Sequence, residues 1–458
     1  MRDITPLISP RSIAVIGASS NPTKSGGVLF ANLANGGFKG PLYPINRGAA
    51  EIMGHKAYPA LADVPEQIDL VYIVLPQAHV EEAIKQCVAA KARSACIITA
   101  GFSEASEKGR IDEHKLRRIA DQSGLLMAGP NTIGMVNADC GMMGSFVNFP
   151  RWEKGGVSFF TQTGIFTGAV MLHVMSAETQ RLPVSKSIDV GNKIGVDEVD
   201  FLNFIKDDPE TKVVGLYIES VRDPRLFLET AREVRKTKPI VLLKPGQTKE
   251  GARASASHTG SLSSDDKILD DGLRQYGIAR AEDEADFLNA LRALVMLPKP
   301  MGKRVGIATT SGALGVISTD LVVRGGLELA TFEPGTISAM RTILPDWLEP
   351  ANPFDFWIGI DVKGPREAHE VGLSSIFADS NVDLVLCTLL APANADFPGF
   401  GDLMKRLRKT YNKPVAVAIY GGSARSRWVA ELEGADVPVF NTTREAARAL
   451  SLLVQATC

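Results

Sequence analysis

At 458 residues the chain is too long for one ordinary core and suits about three domains. It is 45% hydrophobic and 22% charged with a formal net charge of −2, which leaves no electrostatic footprint for nucleic acid or an anionic membrane surface. The opening MRDITPLISPRS lacks the apolar core of a signal peptide, and no run approaches the roughly 20 apolar residues of a membrane span. Five scattered cysteines without a CxxC pair and six dispersed histidines without HxxxH or HExxH argue against a disulfide framework and a transition-metal site, and for a reducing, cytoplasmic setting.

In chain order, short apolar runs at Ile13–Gly17, Leu42–Ile45, Leu70–Leu75, Ala95–Ala100 and Leu125–Ala128 predict strands, with helical patterns between them at Val80–Ala90 and Glu113–Gln122. Continuous apolar strands alternating with helices imply parallel sheets covered on both faces. The rhythm restarts at Val157–Phe160, Val184–Asp189, Val213–Ile218 and Ile240–Leu243. It restarts again beyond the linker LPKPMGK, at Val305–Thr309, Leu327–Ala330, Leu384–Leu389, Val415–Ile419 and Val437–Phe440. The predicted fold class is α/β, three doubly wound parallel-sheet domains over residues 1–150, 151–297 and 298–458.

The first strand runs into Gly17-Ala18-Ser19, small residues at the carboxyl end of a parallel strand, where a ligand crevice is expected. A plain tight turn is the alternative. The spacing is not GxGxxG, and the second strand closes on Asn46 and Arg47, not on an acidic residue. That basic residue disfavours the ribose diol of NAD and suits a phosphorylated ribose, as in NADP or coenzyme A. In the second domain His258 stands in Ser255-Ala256-Ser257-His258-Thr259-Gly260, a run of small residues expected to form an exposed loop. Composition alone describes a solvated histidine there. Neutral imidazole is nevertheless a competent nucleophile. Thr161-Gln162-Thr163-Gly164 ends one strand and opens the helical stretch Ile165–Val174, a start suited to phosphate, with ordinary N-capping by Thr163 the alternative. Glu219 closes another strand, where a carboxylate can fix an imidazole tautomer.

The segments SIAVIGAS, GGFKGPLYPIN, KAYPALADVP, ITAGFSE, AGPNTIGMVN, GNK, VGLYIES and KPIVLLKPGQTKEGARASASHTGSL occur in this order. They resemble the nucleoside-diphosphate-forming acyl-CoA synthetases, the family of succinyl-CoA synthetase and the ADP-forming acetate–CoA ligases. The resemblance implies a CoA-binding Rossmann-like domain followed by two flavodoxin-like ligase domains. It implies His258 as phosphohistidine, Glu219 as its supporting carboxylate, and Thr163 with Gly164 as the phosphate-binding helix start. Coenzyme A would be lined by Gly17, Ser19, Asn46, Pro76 and Asn131, with Lys24 and Arg47 on its phosphates. One departure is TQTG where the family usually has Ser-Gln-Ser-Gly, adding two methyl groups that bear on the acyl pocket.

The third domain carries Thr310-Ser311-Gly312-Ala313-Leu314-Gly315 after a strand and an Asx-type turn at Asn352-Pro353-Phe354-Asp355, which is usually structural. Phe354, Phe356 and Trp357 are expected to pack against another surface, within the chain or on a partner. There is neither a Walker A spacing nor an ATP-grasp region. The expected partner is therefore a separate ATP-grasp β subunit binding ATP and Mg²⁺, in an α2β2-type assembly acting on a carboxylic acid. The rival readings are a non-catalytic CoA-binding regulatory or scaffold subunit and an NADP-linked oxidoreductase.

Overall fold

Runs of four apolar residues with no polar alternation have no solvent face to offer, and the strands β1 (Ile13–Ile16) and β3 (Leu70–Ile73) are buried at every position. The structure, a computed structural model, describes residues 2–149, 152–176, 181–259 and 266–457; the side chains at 173, 175–176, 255–259, 266 and 268 lie outside that description. Contacts divide the chain into two units, Met1–Ser176 with Pro183–Tyr276, and Ala177–Leu182 with Gly277–Cys458.

The first unit holds two sheets. In one, β2 (Leu42–Ile45), β1, β3, β4 (Ser94–Ile97) and β5 (Leu126–Ala128) lie side by side in that order, all parallel. Helices α1 (Ser25–Asn35), α2 (Val80–Ala89) and α3 (Glu107–Ser123) connect them. The order 2-1-3-4-5 is doubly wound, with its switch point between β1 and β3. Ile16, Val71, Ile73, Ala95 and Ile97 pack with Val80, Ile84 and Leu116 in one cluster, the apolar stripes of α2 and α3 covering one face.

The second sheet is built on β8 (Val157–Thr161), β9 (Val184–Asp189), β10 (Val213–Tyr217) and β11 (Ile240–Leu243), all parallel. Two further strands that the sequence pattern does not reveal extend the sheet, β6 (Gly134–Asn137), antiparallel to β9, and β7 (Met142–Ser145), antiparallel to β6. Among the strands of this unit the order is β11-β10-β8-β9-β6-β7. The sheets therefore divide between Ala128 and Gly134, ahead of the expected boundary at 150. Helices α4 (Met171–Ser176), α5 (Glu198–Lys206), α6 (Pro224–Arg235), α7 (Lys249–Thr259) and α8 (Asp266–Gln275) complete this half.

The second unit winds the same way. Its sheet runs β13 (Glu328–Leu329), β12 (Arg304–Thr309), β15 (Leu384–Leu390), β16 (Val415–Tyr420), β17 (Val439–Phe440). The short strand β14 (Phe354–Asp355) pairs with the end of β12. Asn352 does more than cap a turn. Its Oδ1 accepts from Ile307 N at 3.0 Å, and its Nδ2 donates to Val305 O at 2.8 Å and Ala330 O at 2.9 Å. Phe354 and Phe356 pack inside this unit's own core, around His369, whose ring meets Phe356, Phe397, Phe400 and Trp428 at centroid distances of 5.2 to 5.6 Å.

Candidate active site

The carboxyl edge of the first sheet collects the residues expected for a CoA crevice. Gly17 has φ +91, and a Cβ there would stand 2.2 Å from Val74 O, so the turn at the switch point requires glycine for conformation and for space. Gly26 and Gly27, which sequence reasoning did not single out, open α1 against that turn. A Cβ at Gly26 would lie 2.1 Å from Gly17 O, and one at Gly27 would lie 1.9 Å from Asn21 O. Their adjacency at the mouth of a helix after a small-residue turn is the signal that could have found them. Ser19 Oγ accepts from Asn21 N at 3.1 Å. Asn46 donates from Nδ2 to Ala18 O at 2.8 Å and accepts Gly48 N at 2.8 Å, so its amide braces the crevice wall. Lys24 occupies the N-cap position of α1; it, Arg47 and Pro76 are exposed. Arg47 and Pro76 follow the ends of β2 and β3, whereas Lys24 lies at the helix start.

Asn131 lies farther along the same sheet edge, just past the end of β5. It adopts φ +61, donates from its backbone to Thr99 O at 2.9 Å, and donates from Nδ2 to Asn192 Oδ1 at 3.3 Å. It marks the crossing from the first sheet to the second. Asn192 Nδ2 in turn donates to Ser103 Oγ at 3.1 Å, Glu104 Oε2 at 2.6 Å and Glu113 Oε2 at 2.8 Å. Glu104 also accepts the N–H groups of Gly101 and Phe102. Burial works against its charge, yet these hydrogen bonds hold its carboxyl below the usual range. The turn 130–133 is pinned from beneath by Asp189, fully buried, which accepts Thr132 Oγ1 at 2.8 Å, Ile133 N at 2.9 Å and Gly191 N at 3.0 Å. Desolvation nevertheless pushes its carboxyl up to about 6.

The second sheet brings TQTG and Glu219 together at its own switch point, between the ends of β8 and β10. Thr161 faces inward: its hydroxyl lies 3.4 Å from that of Thr167, which lies 2.9 Å from that of Ser187. Its added methyl group is therefore enclosed, and only Thr163, half-buried, stands at the turn. Thr163 Oγ1 accepts Ile165 N at 3.3 Å, a local turn bond. Gly164 has no room for a side chain, since a Cβ would stand 2.6 Å from Ile133 Cγ2. The helix then continues through the π-turn Phe166–Val170 into α4. Glu219 is 7% exposed, its Oε1 3.4 Å from the Tyr217 hydroxyl.

Two residues missed at the sequence level bind these parts. Gln162 Oε1 accepts Glu219 N at 2.9 Å, Ser220 N at 3.1 Å and Lys193 Nζ at 3.3 Å. Lys193 also donates to Glu198 Oε2 at 2.7 Å and Ser220 O at 2.5 Å. Burial lowers the Lys193 ammonium pKa, against the pull of Glu198. Both residues lie inside motifs already quoted, TQTG and GNK, but nothing local to either names a partner.

The stretch expected to be a loop around His258 is helical in its backbone up to Thr259. Thr248 Oγ1 accepts Gly251 N at 2.9 Å and caps the start, and the alanines at 252, 254 and 256 favour the helix. The His258 side chain lies outside the described residues. Among the described residues no group of histidine, cysteine or acidic side chains could hold a metal ion, and no helix is long and apolar enough to cross a membrane.

Comparison with known proteins agrees with this geometry. Residues 11–138 match a CoA binding domain and residues 154–294 a succinyl-CoA ligase like flavodoxin domain. The chain is 33% identical to the alpha subunit of ADP-forming acetate–CoA ligase II of Pyrococcus furiosus, covering 98% of this chain and 96% of that one. It belongs to the nucleoside-diphosphate-forming acyl-CoA synthetases. A solved acetyl-coenzyme A synthetase of this family, from Candidatus Korarchaeum cryptofilum in complex with phosphate and ADP, superposes with a TM-score of 0.91 at 32% identity, covering 100% of this chain and 97% of that one. Other synthetases are longer. The ADP-forming acetate–CoA ligase II of Archaeoglobus fulgidus is 34% identical over 92% of this chain, yet the matched part is 62% of that protein.

Proposed function

We propose that this chain is the α-type subunit of an ADP-forming acyl-CoA synthetase, converting a carboxylate, CoA and ATP into acyl-CoA, ADP and phosphate. The carrying observation is the shared position of Glu219 and the TQTG turn at one switch point, joined through Gln162. The first sheet with its helices serves as the CoA-binding domain, the second sheet with its helices as the phosphohistidine domain, and the second unit as the third ligase domain. A partner chain with an ATP-grasp fold binds ATP and Mg²⁺, in an α2β2-type assembly of the cytoplasm. The part played by such a partner accords with the relative named as an alpha subunit.

The chemistry proceeds in three transfers. An imidazole nitrogen of His258 attacks the γ-phosphorus of ATP and ADP leaves. A carboxylate oxygen of the acid substrate attacks that phosphorus, forming an acyl phosphate and freeing the imidazole. The CoA thiolate attacks the acyl carbon, and phosphate departs. Glu219 fixes the imidazole tautomer. Thr163 and the N–H groups at the start of its helix, with Gly164 giving close approach, stabilise the phosphoryl oxygens. Gly17 and Gly26 let the turn and the start of α1 pack closely, and Ser19, Asn46, Pro76 and Asn131 would line the CoA site beside them, with Lys24 and Arg47 on its phosphates.

The test is incubation with ATP labelled on its γ-phosphate in the presence of the partner chain. Acid-labile label is expected on the wild type and not on His258→Ala, with CoA binding retained in both. Unlabelled wild type that still binds CoA would instead assign a regulatory or scaffold role.

A further inference from the structure

We propose that Lys193 and Gln162 are positioning residues that set the Glu219 carboxylate before phosphoryl transfer. The proposal rests on the reading of Glu219 as the carboxylate beside the phosphohistidine. One amide oxygen, Gln162 Oε1, takes the N–H groups of both Glu219 and Ser220. One ammonium, Lys193 Nζ, takes that same oxygen together with Ser220 O. The backbone at the end of β10 is thus held by its donors and by its acceptor, from two other segments of chain. Glu198, with no exposed surface, compensates the ammonium at 2.7 Å, and its second oxygen accepts Arg222 N at 3.2 Å.

This knot is an expensive way to hold a strand end. Lys193 is 6% exposed, and its backbone sits at φ +57, a conformation disfavoured for a residue with a side chain. Taking an ammonium and a carboxylate out of water offsets much of their attraction, and apolar packing commonly serves stability as well. A buried polar network with so many of its bonds converging on one strand end specifies geometry more than it adds stability. The residue whose geometry it specifies is Glu219. Asn192, next to Lys193, bonds to Asn131, Ser103, Glu104 and Glu113, so the loop that carries the ammonium is itself anchored to the first sheet.

The experiment uses the chain reconstituted with its partner subunit and rapid quenching after mixing with γ-labelled ATP. Gln162→Met and Lys193→Met should slow phosphorylation of His258 by roughly 10- to 100-fold, the scale of a small misplacement of a reacting group. The dissociation constant for CoA, read by calorimetry, should stay within about twofold, since the first crevice is untouched. Gln162→Glu keeps an oxygen acceptor for both N–H groups and for the ammonium, and should restore most of the rate. Folded variants that phosphorylate at the wild-type rate overturn the proposal. So does a Gln162→Glu as slow as Gln162→Met, or a failure of all three variants to fold, which would make the knot structural. If the wild type itself takes no label, the underlying reading of His258 and Glu219 fails, a result that variant-specific loss cannot produce.

Discussion

At the scale of single residues, Gly17 is a sharp constraint on the first crevice. Its positive φ and the 2.2 Å separation between a hypothetical Cβ and Val74 O act together, so Gly17→Ala must strain the turn and push β3 away. The expected cost is about 1–3 kcal/mol of stability, with CoA affinity reduced at least tenfold by calorimetry; unchanged affinity would separate this turn from the ligand. Gly17 was legible from sequence because its constraint is local, a small residue at a strand end. Gln162 and Lys193 were not, because their meaning lies in bonds to Glu219 and Ser220, many residues along the chain. His258 is singled out only through the motif around it, while the helical backbone beneath it was hidden by residues that suit loop and helix alike.

At the scale of elements, strands buried on both faces announced themselves as unbroken apolar runs, and every parallel strand of the first sheet was found within a few residues. The hairpin of β6 and β7 was not. Gly134–Asn137 and Met142–Ser145 are short, and no pattern in them tells which sheet they will join. Asn352 shows the same limit: the Asx chemistry was readable, but not that its amide replaces a strand's worth of bonds to Val305, Ile307 and Ala330. Asn352→Ala leaves those groups without their partner and should cost about 2–4 kcal/mol. The loss should appear in the second unit's melting transition; an unchanged midpoint there would show that water replaces the amide.

At the scale of the whole chain, the two units carry buried titratable groups of opposite sign. Asp189 in the first has its carboxyl raised to about 6 by burial. The folded unit therefore keeps a proton that the unfolded chain has lost, and this contribution, full below the unfolded pKa, fades as pH rises through 6. His369 in the second has its imidazole lowered to about 4 by burial, against a hydrogen bond to Pro365 O. Its contribution is full above the usual 6.5 and is lost as pH falls through 4. The difference corresponds to something on the order of 3 kcal/mol. His369→Phe, which suits the aromatic surroundings, should flatten the decline of the second unit's midpoint between pH 6.5 and 4 while leaving the first unit's profile unchanged. Parallel pH profiles for variant and wild type would rule this out.

The hairpin of β6 and β7 also has a consequence for biosynthesis. The first sheet is complete once Ala128 has left the ribosome, but the hairpin's partner strand, β9, ends only at Asp189. At ordinary translation speeds of about 5–20 residues per second, the hairpin waits on the order of several seconds with an open edge. During that interval the nascent chain displays an adhesive ribbon. Slow codons placed between residues 145 and 184 would lengthen the exposure and favour association between neighbouring nascent chains.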